Sequence, residues 1–229
     1  MSKTSDGKKD IHYGLTPTAH NLRRLWHISM IGAFSYYLVP VTVFHLGTLA
    51  VHRNVILLGF FFVIAFFEIL RLTDRWSIGL FRNYEDNRIS APFWFCTTSA
   101  LLILLTPQWF AAPIILCTTI GDPVLGELRL RGVKYYSMYG WAVCAIPFLV
   151  FGYGLTFAVY LSASAVFAEI NKPKLKNQDS LLYKSGILDD NFTMQVVPVG
   201  FLLAVWFISS SYGFGWLPPG TEELLKPLY

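Results

Sequence analysis

The segment Gly121-Asp122-Pro123 places a carboxylate directly after an apolar run. An acid in a glycine-containing turn at the end of such a run is well placed to hold a divalent cation. Mg²⁺ takes one or two protein carboxylates together with phosphate oxygens of a substrate. Asp122 is therefore a candidate metal ligand. The alternative is that it caps a following helix, whose N-terminal dipole favours an acid.

Basic residues follow Asp122 at short intervals. Arg129, Arg131 and Lys134 lie in the same polar segment, and Glu127 lies among them. Basic side chains of this kind neutralise the charge of phosphate groups. The pattern predicts a phosphate-binding segment, but it is not a P-loop, because neither GxxxxGK[ST] nor GxGxxG occurs in the chain.

His27 follows the basic pair Arg23-Arg24 and lies inside the first apolar block. Anchoring at a membrane surface accounts for the two arginines. It does not account for the histidine, because an ionisable side chain in apolar surroundings is costly and is often functional. A catalytic role and a structural role both remain open for His27.

Further charged residues lie at the ends of other apolar blocks. Glu68 and Arg71 have the i,i+3 spacing that allows an ion pair on one helix face. Glu169 ends a later block, and Asp190-Asn191 opens the last one, where either residue suits a helix N-cap. The functional alternative is that Glu169 and Asp190-Asn191 converge with Asp122 at one membrane face.

Helices must position these residues, because the composition excludes an ordinary soluble protein. Of 229 residues, 54% are hydrophobic and 14% are charged, whereas soluble domains carry about 25% charged residues. A transmembrane helix needs about 20 apolar residues. The sequence predicts an all-α, multi-pass transmembrane bundle of about seven spans, with six or eight as alternatives. The apolar blocks are 25–49, 54–70, 91–106, 108–120, 135–151, 154–170 and 192–212.

The basic residues give this bundle an orientation. Sixteen of the eighteen lysines and arginines fall in segments that the predicted spans place on one side. The positive-inside rule makes that side cytoplasmic, so the net charge does not indicate a nucleic-acid partner. We predict a cytoplasmic tail at 1–22, an integral membrane domain at 23–212 and a tail on the opposite side at 213–229. Most acids share the cytoplasmic side, which indicates either a site for a water-soluble reactant or solvated anchoring loops.

In this order, the motifs resemble those of the polyprenol kinase family, which includes dolichol kinase, phytol kinase and CTP-dependent diacylglycerol kinase and is related to the CDP-diacylglycerol synthases. That family has a basic pair and a histidine at its first span, then E-x-x-R, R-x-x-E and Gly-Asp motifs, and later a glutamate and an Asp-Asn pair. The resemblance covers roughly residues 20–212. The matching residues are Arg23, Arg24, His27, Glu68, Arg71, Arg82, Glu85, Gly121, Asp122, Glu169, Asp190 and Asn191.

The resemblance implies a membrane kinase that transfers a phosphoryl group from CTP to the hydroxyl of a lipid alcohol, such as a polyprenol, dolichol, phytol or diacylglycerol. It implies that Asp122 holds Mg²⁺, with help from Glu169 or Asp190. It also implies that His27 or a carboxylate accepts the alcohol proton. The residues expected to bind the nucleotide are Arg82, Glu85, Arg129, Arg131, Lys134, Asp190 and Asn191.

The sequence departs from the family after the Gly-Asp motif. The family has a K-S-x-E-G type of motif, where this chain has Tyr136-Ser137-Met138-Tyr139-Gly140. Tyrosines therefore replace a lysine and a glutamate, and Lys134 and Glu127 are the candidates to supply those charges. Two alternatives to a kinase stay open: a cytidylyltransferase that forms a CDP-lipid, and a catalytically silent membrane relative that binds lipid or a partner.

Overall fold

The computed structural model describes residues 17–46, 49–74, 85, 88–171, 185 and 189–212. This part of the chain is almost entirely helical, as the composition predicts, and contains one short hairpin. We number the helices α1 (Pro17–Ser29), α2 (Ser35–Leu38), α3 (Arg53–Asp74), α4 (Ala91–Leu105), α5 (Gln108–Leu130), α6 (Tyr136–Val150), α7 (Leu155–Ile170) and α8 (Asp190–Tyr212), and the strands β1 (Thr42–Leu46) and β2 (Leu49–His52).

The first apolar block, predicted as one span at 25–49, is divided between a helix and a hairpin. A 3₁₀ turn at Met30–Phe34 joins α1 to α2, so the backbone is helical from 17 to 38. Val39 is extended, with φ −78° and ψ 132°, because a residue before proline, here Pro40, is disfavoured in the helical region. Strands β1 and β2 then pair antiparallel.

Helix α5 lies in the interior of the bundle and α3 lies on its outside. Of the most apolar 18 residues of each helix, 61% are buried in α5 and 11% in α3. Both helices are long and apolar enough to cross a membrane. Three other helices and residues 191–205 of α8 are shorter apolar segments.

The turn predicted at Gly121-Asp122-Pro123 is wrong, because all three residues lie inside α5. Pro123 cannot donate a hydrogen bond to the preceding turn, which costs about 3 kcal/mol in a helix interior. The helix nevertheless continues to Leu130, since its buried face packs on α6 and α8 through this region. Packing therefore outweighs the local preference for a break.

Gly121 lets α5 approach α6 and α8 closely, and Gly121→Ala is expected to destabilise the protein by about 1–3 kcal/mol through overpacking. The added methyl group would overlap Sγ of Cys144 and lie 3.3 Å from Cε of Met194. Gly126→Ala on the same helix is the control, since its Cβ would meet nothing within 4 Å. Thermal unfolding in detergent measures the stability of both variants. Equal melting temperatures would contradict the close approach of α5 to α6 and α8 at Gly121.

Candidate functional site

Charged side chains from most elements meet at one end of the helix bundle, which we call the polar end. Ion pairs join Arg88 and Asp189, which precede α4 and α8, and Arg129 and Glu169, at the ends of α5 and α7. Arg23, in the middle of α1, pairs with Glu85 in the segment between α3 and α4. The polar end consists of Arg23, Arg24, His27, Glu68, Arg71, Glu85, Arg88, Ser90, Asp122, Glu127, Arg129, Arg131, Glu169, Asp189 and Asn191.

His27 of α1 faces Asp122 of α5. Nε2 of the imidazole lies 3.5 Å from Oδ2 of the carboxylate, and the two side chains are 5% and 13% exposed. The imidazole also packs edge-on against the ring of Phe95 in α4, with the centroids 5.8 Å apart. The distance is long for a hydrogen bond, but it allows Asp122 to stabilise a proton on the imidazole. This is the arrangement of a proton acceptor oriented by an acid.

Glu85 is held by Arg23 in a buried, two-pronged ion pair. Nη1 and Nη2 of Arg23 donate to the two carboxylate oxygens at 2.9 and 3.0 Å. The Glu85 side chain is fully buried, and its backbone carbonyl accepts a hydrogen bond from Arg71 at 2.8 Å. Nucleotide binding by Glu85 stays a prediction, and in the structure its carboxylate is engaged by Arg23. Arg82, its partner in the motif, lies outside the described residues.

The ion pair predicted between Glu68 and Arg71 is present, with Nη2 of Arg71 2.8 Å from Oε1 of Glu68. Ser90 donates to the same carboxylate through its backbone N–H at 2.7 Å and its hydroxyl at 2.9 Å. Since Ser90 also caps α4, the pair ties the end of α3 to the start of α4. It is a structural element next to the site.

The last helix begins at Asp190, so Asp189 occupies the N-cap position that was predicted for Asp190 or Asn191. Oδ1 of Asp189 accepts hydrogen bonds from the backbone and side-chain nitrogens of Asn191 at 3.1 and 3.2 Å. Its Oδ2 lies 3.0 Å from Nη2 of Arg88. Asn191 is buried in this cap, and the side chain of Asp190 lies outside the described residues.

The arginines predicted to bind phosphate lie at the rim of the polar end. Glu127 pairs with both Arg24 and Arg131, and Arg129 lies 3.1 Å from Glu169. The side chains of Arg131 and Arg129 are 71% and 35% exposed, so a solute can reach them. Lys134 is also exposed, with Nζ 4.9 Å from the ring centroid of Tyr135.

The acids predicted to share a metal do not gather into one group in the described part of the chain. Asp122 faces His27, whereas Glu169 faces Arg129. Among the described residues, no three His, Cys, Asp or Glu side chains form a metal-holding set. Mg²⁺ that arrives with a nucleotide needs only one or two carboxylates besides phosphate and water oxygens. A single described carboxylate, such as that of Asp122, meets this requirement.

An apolar cavity of about 420 Å³ runs along α1, α2, α3 and α4, and neither His27 nor Asp122 is among its lining residues. We call it the groove. Trp26 and Ser29, on either side of His27 in the chain, line one end, and Tyr36, Val39 and Arg53 line the other. The wall between them is formed by Met30, Gly32, Ala33, Ser35, Ile56, Leu57, Phe60, Phe61, Ile64, Cys96, Ser99, Ala100 and Ile103.

The sequence interpretation missed Arg88, Asp189, Ser90 and the groove. Asp189 carried a signal, because an acid directly before an apolar block is a common N-cap. Ser90 carried one as well, since it precedes an apolar block that has proline near its start. Arg88 and the groove depend on contacts between residues far apart in the chain, which one sequence does not reveal.

Comparisons of the chain with models of protein families, with curated proteins and with solved structures found no match.

Proposed function

We propose that this chain is a multi-pass membrane kinase of the polyprenol kinase type, which transfers a phosphoryl group from a nucleotide, CTP by resemblance, to the hydroxyl of a lipid alcohol. One observation carries the proposal: the His27–Asp122 pair shares the polar end with exposed arginines, and Trp26, which precedes His27, and Cys96, which follows its contact Phe95, line an apolar groove. A lipid alcohol needs the apolar groove for its hydrocarbon chain, and a nucleoside triphosphate needs the arginines for its phosphate groups.

The proposal places the polar end at the cytoplasmic face, where the basic residues favour it. Helices α3 and α5, of 22 and 23 residues, match a hydrocarbon core of about 30 Å at 1.5 Å per residue. Helices α4, α6 and α7 have 15 or 16 residues and fall short of that thickness. A bilayer that thins locally accommodates such helices at modest cost.

In this mechanism the lipid chain lies in the groove and the alcohol hydroxyl reaches His27. The alcohol oxygen attacks the γ-phosphorus, the bond to the bridging oxygen breaks, and the nucleoside diphosphate leaves. The imidazole of His27 accepts the alcohol proton, and the Asp122 carboxylate stabilises the imidazolium that forms. Positioning and charge neutralisation supply most of the catalysis of phosphoryl transfer.

The triphosphate is proposed to bind across Arg24, Arg129, Arg131 and Lys134. Arg24 and Arg131 share the single carboxylate of Glu127, so this group keeps a net positive charge. Phosphate groups compete well for such partly exposed guanidinium groups, because surface ion pairs contribute little stability. Asp122 would hold Mg²⁺, which would supply charge neutralisation.

Glu127→Gln is expected to leave kcat within a few-fold and to lower the KM for the nucleotide. The change removes the carboxylate that occupies Arg24 and Arg131, so both become available to phosphate. The motif comparison predicts the opposite, a loss of activity, if Glu127 supplies the missing carboxylate of the site. Steady-state kinetics at varied nucleotide concentration separate the two, with Glu127→Asp as the charge-conserving control.

A second candidate is the silent relative that binds lipid without chemistry. It is favoured by the ion pairs at the rim, since Glu127 and Glu169 already neutralise arginines that a nucleotide would need. In such a relative the groove binds a lipid, and the charged residues of the polar end only stabilise the helix bundle.

The decisive experiment incubates the purified chain in lipid nanodiscs with Mg²⁺, γ-labelled CTP or ATP and a panel of lipid alcohols. We expect label in the lipid fraction as a lipid monophosphate, with release of the nucleoside diphosphate. A CDP-lipid, detected with CTP labelled in the base, would instead identify the cytidylyltransferase. No transfer to any alcohol from either nucleotide would favour the silent relative.

A further inference from the structure

We propose that α5 binds a water molecule at its second proline, Pro123, and that Thr119 positions the Asp122 carboxylate through this water. The site consists of the hydroxyl and the backbone carbonyl of Thr119 together with the carboxylate of Asp122, about one turn further along the helix. The inference rests on the proposed function in one respect, since that function gives Asp122 its role beside His27. The water site itself does not depend on any activity.

Pro123 leaves the carbonyl of Thr119 without its helical hydrogen bond. In an α-helix the N–H of residue i donates to the carbonyl of residue i−4, and proline has no N–H. In the part of the chain that the structure describes, no side chain donates to this carbonyl instead. Buried backbone carbonyls almost always have a hydrogen-bond partner, in the protein or in ordered water.

The hydroxyl of Thr119 is buried as well. The residue is 0% exposed, and its Oγ1 forms no hydrogen bond with any described residue. Thr118, which is next to it and equally buried, donates instead to the carbonyl of Ile114 at 3.2 Å. Burial of a hydroxyl without a hydrogen bond costs stability. Two such polar groups on one residue therefore indicate a ligand that bonds to both.

The first proline of α5 shows how the fold satisfies such a carbonyl elsewhere. Pro113 frees the carbonyl of Trp109, and the hydroxyl of Tyr153 donates to that carbonyl at 3.4 Å. Prolines inside membrane helices are tolerated where neighbouring side chains or ordered waters replace the missing donor. A side chain does so for Pro113. For Pro123 no side chain among the described residues does so, which leaves water as the donor.

Water matches the groups of the site better than a metal cation does. A water molecule donates two hydrogen bonds and accepts others, and a buried water typically forms about three. The carbonyl of Thr119 and the carboxylate of Asp122 are acceptors, and the hydroxyl of Thr119 is a donor. A hard cation takes about six oxygen ligands, more than these two residues supply.

The water links Thr119 to the carboxylate oxygen of Asp122 that does not face His27. Residues at i and i+3 lie on one face of a helix, with Cβ atoms about 5–6 Å apart, a separation that one water molecule bridges. Oδ2 of Asp122 lies 3.5 Å from Nε2 of His27, whereas Oδ1 has no hydrogen-bond partner among the described residues. A water on Oδ1 holds the carboxylate so that Oδ2 stays toward the imidazole. Each carboxylate oxygen has two lone pairs, so the water still leaves Asp122 able to hold Mg²⁺.

Thr119→Val tests the water site through stability, because the sign of its effect separates the alternatives. Valine has nearly the shape of threonine but no hydroxyl. If the hydroxyl donates to a bound water, its loss weakens the bonding of that water and of the freed carbonyl. The melting temperature in detergent should then fall by about 2–4 °C. If the hydroxyl has no partner, valine removes a buried unsatisfied group. A melting temperature equal to or above that of the parent would therefore overturn the proposal.

Thr118→Val is the matched control. Thr118 is as buried as Thr119, but its hydroxyl donates to a carbonyl of its own helix. That carbonyl also accepts the backbone N–H of Thr118, so it keeps a partner in the variant. The melting temperature of Thr118→Val should therefore stay closer to that of the parent. An equal fall in the two variants would contradict the assignment of the water to Thr119.

Phosphoryl transfer by the same variants tests the positioning role of Thr119. We expect Thr119→Val to lower kcat about tenfold, as the loss of a group that orients a reacting residue does, and to leave the KM for the nucleotide and for the lipid alcohol unchanged. Thr119→Ser keeps the hydroxyl and should keep most of the kcat of the parent. A serine variant as impaired as the valine variant would contradict positioning through the hydroxyl.

A density map of the parent at a resolution that shows ordered water tests the site directly. We expect a water within hydrogen-bond distance of the hydroxyl and the carbonyl of Thr119 and of the Asp122 carboxylate. A map without this water would overturn the inference, whatever the activity of the chain. The water together with a parent that phosphorylates no lipid alcohol would keep the site and remove the kinase.

Discussion

Asp122→Asn is expected to lower kcat for lipid phosphorylation by about 100-fold or more, the usual contribution of an acid–base pair. The substitution keeps the shape of the side chain but removes its charge. Asp122 faces His27 at 3.5 Å, so an uncharged amide no longer stabilises the imidazolium. It is also a poorer ligand for Mg²⁺, which prefers carboxylate oxygen.

Thermal unfolding in detergent provides the control for folding in this experiment. Because the substitution keeps the shape of the side chain, the asparagine variant should melt close to the temperature of the parent. Activity within a few-fold of the parent would contradict both roles of Asp122 and would leave it as a residue of the helix interior.

The double variant His27→Ala, Asp122→Asn distinguishes the two roles of the acid. If Asp122 acts only through His27, the double variant should be no less active than His27→Ala alone, since residues that act as a unit are non-additive. If Asp122 holds the cation, its loss should weaken activation by Mg²⁺ in both backgrounds. A Mg²⁺ titration of the activity of the parent, the two single variants and the double variant measures this activation.

The sequence predicts the helices of the interior well because their apolar blocks are bounded by local signals. The block at 91–106 corresponds to α4 at Ala91–Leu105, which has a serine cap and proline in its first turn. Proline before Gln108 likewise marks the start of α5. The Glu68–Arg71 pair was also predictable, because residues at i and i+3 lie on the same face of any helix.

Long-range packing decides the features that the sequence did not predict. Local propensity favours a break at Gly121-Asp122-Pro123, but the contacts of α5 with α6 and α8 keep the helix intact. Arg23 meets Glu85 across 62 residues, and nothing in the spacing of either residue indicates the other. The positions of charged residues were thus readable in the sequence, whereas their partners in distant segments were not.

The Arg23–Glu85 pair leads to the largest expected effect on stability. Arg23→Met should lower the free energy of unfolding by about 3–5 kcal/mol, because it leaves the Glu85 carboxylate buried without its guanidinium partner. Arg131→Met is the matched control. Arg131 pairs with Glu127 while its own side chain is 71% exposed, and such pairs contribute about 0–1 kcal/mol.

The double variant Arg23→Met, Glu85→Met should recover most of the stability lost in Arg23→Met. Replacing both members of a buried ion pair by apolar side chains removes the unpaired charge and is often close to neutral. Arg71 still donates to the backbone carbonyl at position 85 in this variant, since that 2.8 Å hydrogen bond does not involve the side chain. Denaturant unfolding of the parent, Arg23→Met, Glu85→Met and the double variant completes the double-mutant cycle. If Arg23→Met costs no more than Arg131→Met, water or another group compensates Glu85, and the polar end is more solvated than the burial of this pair indicates.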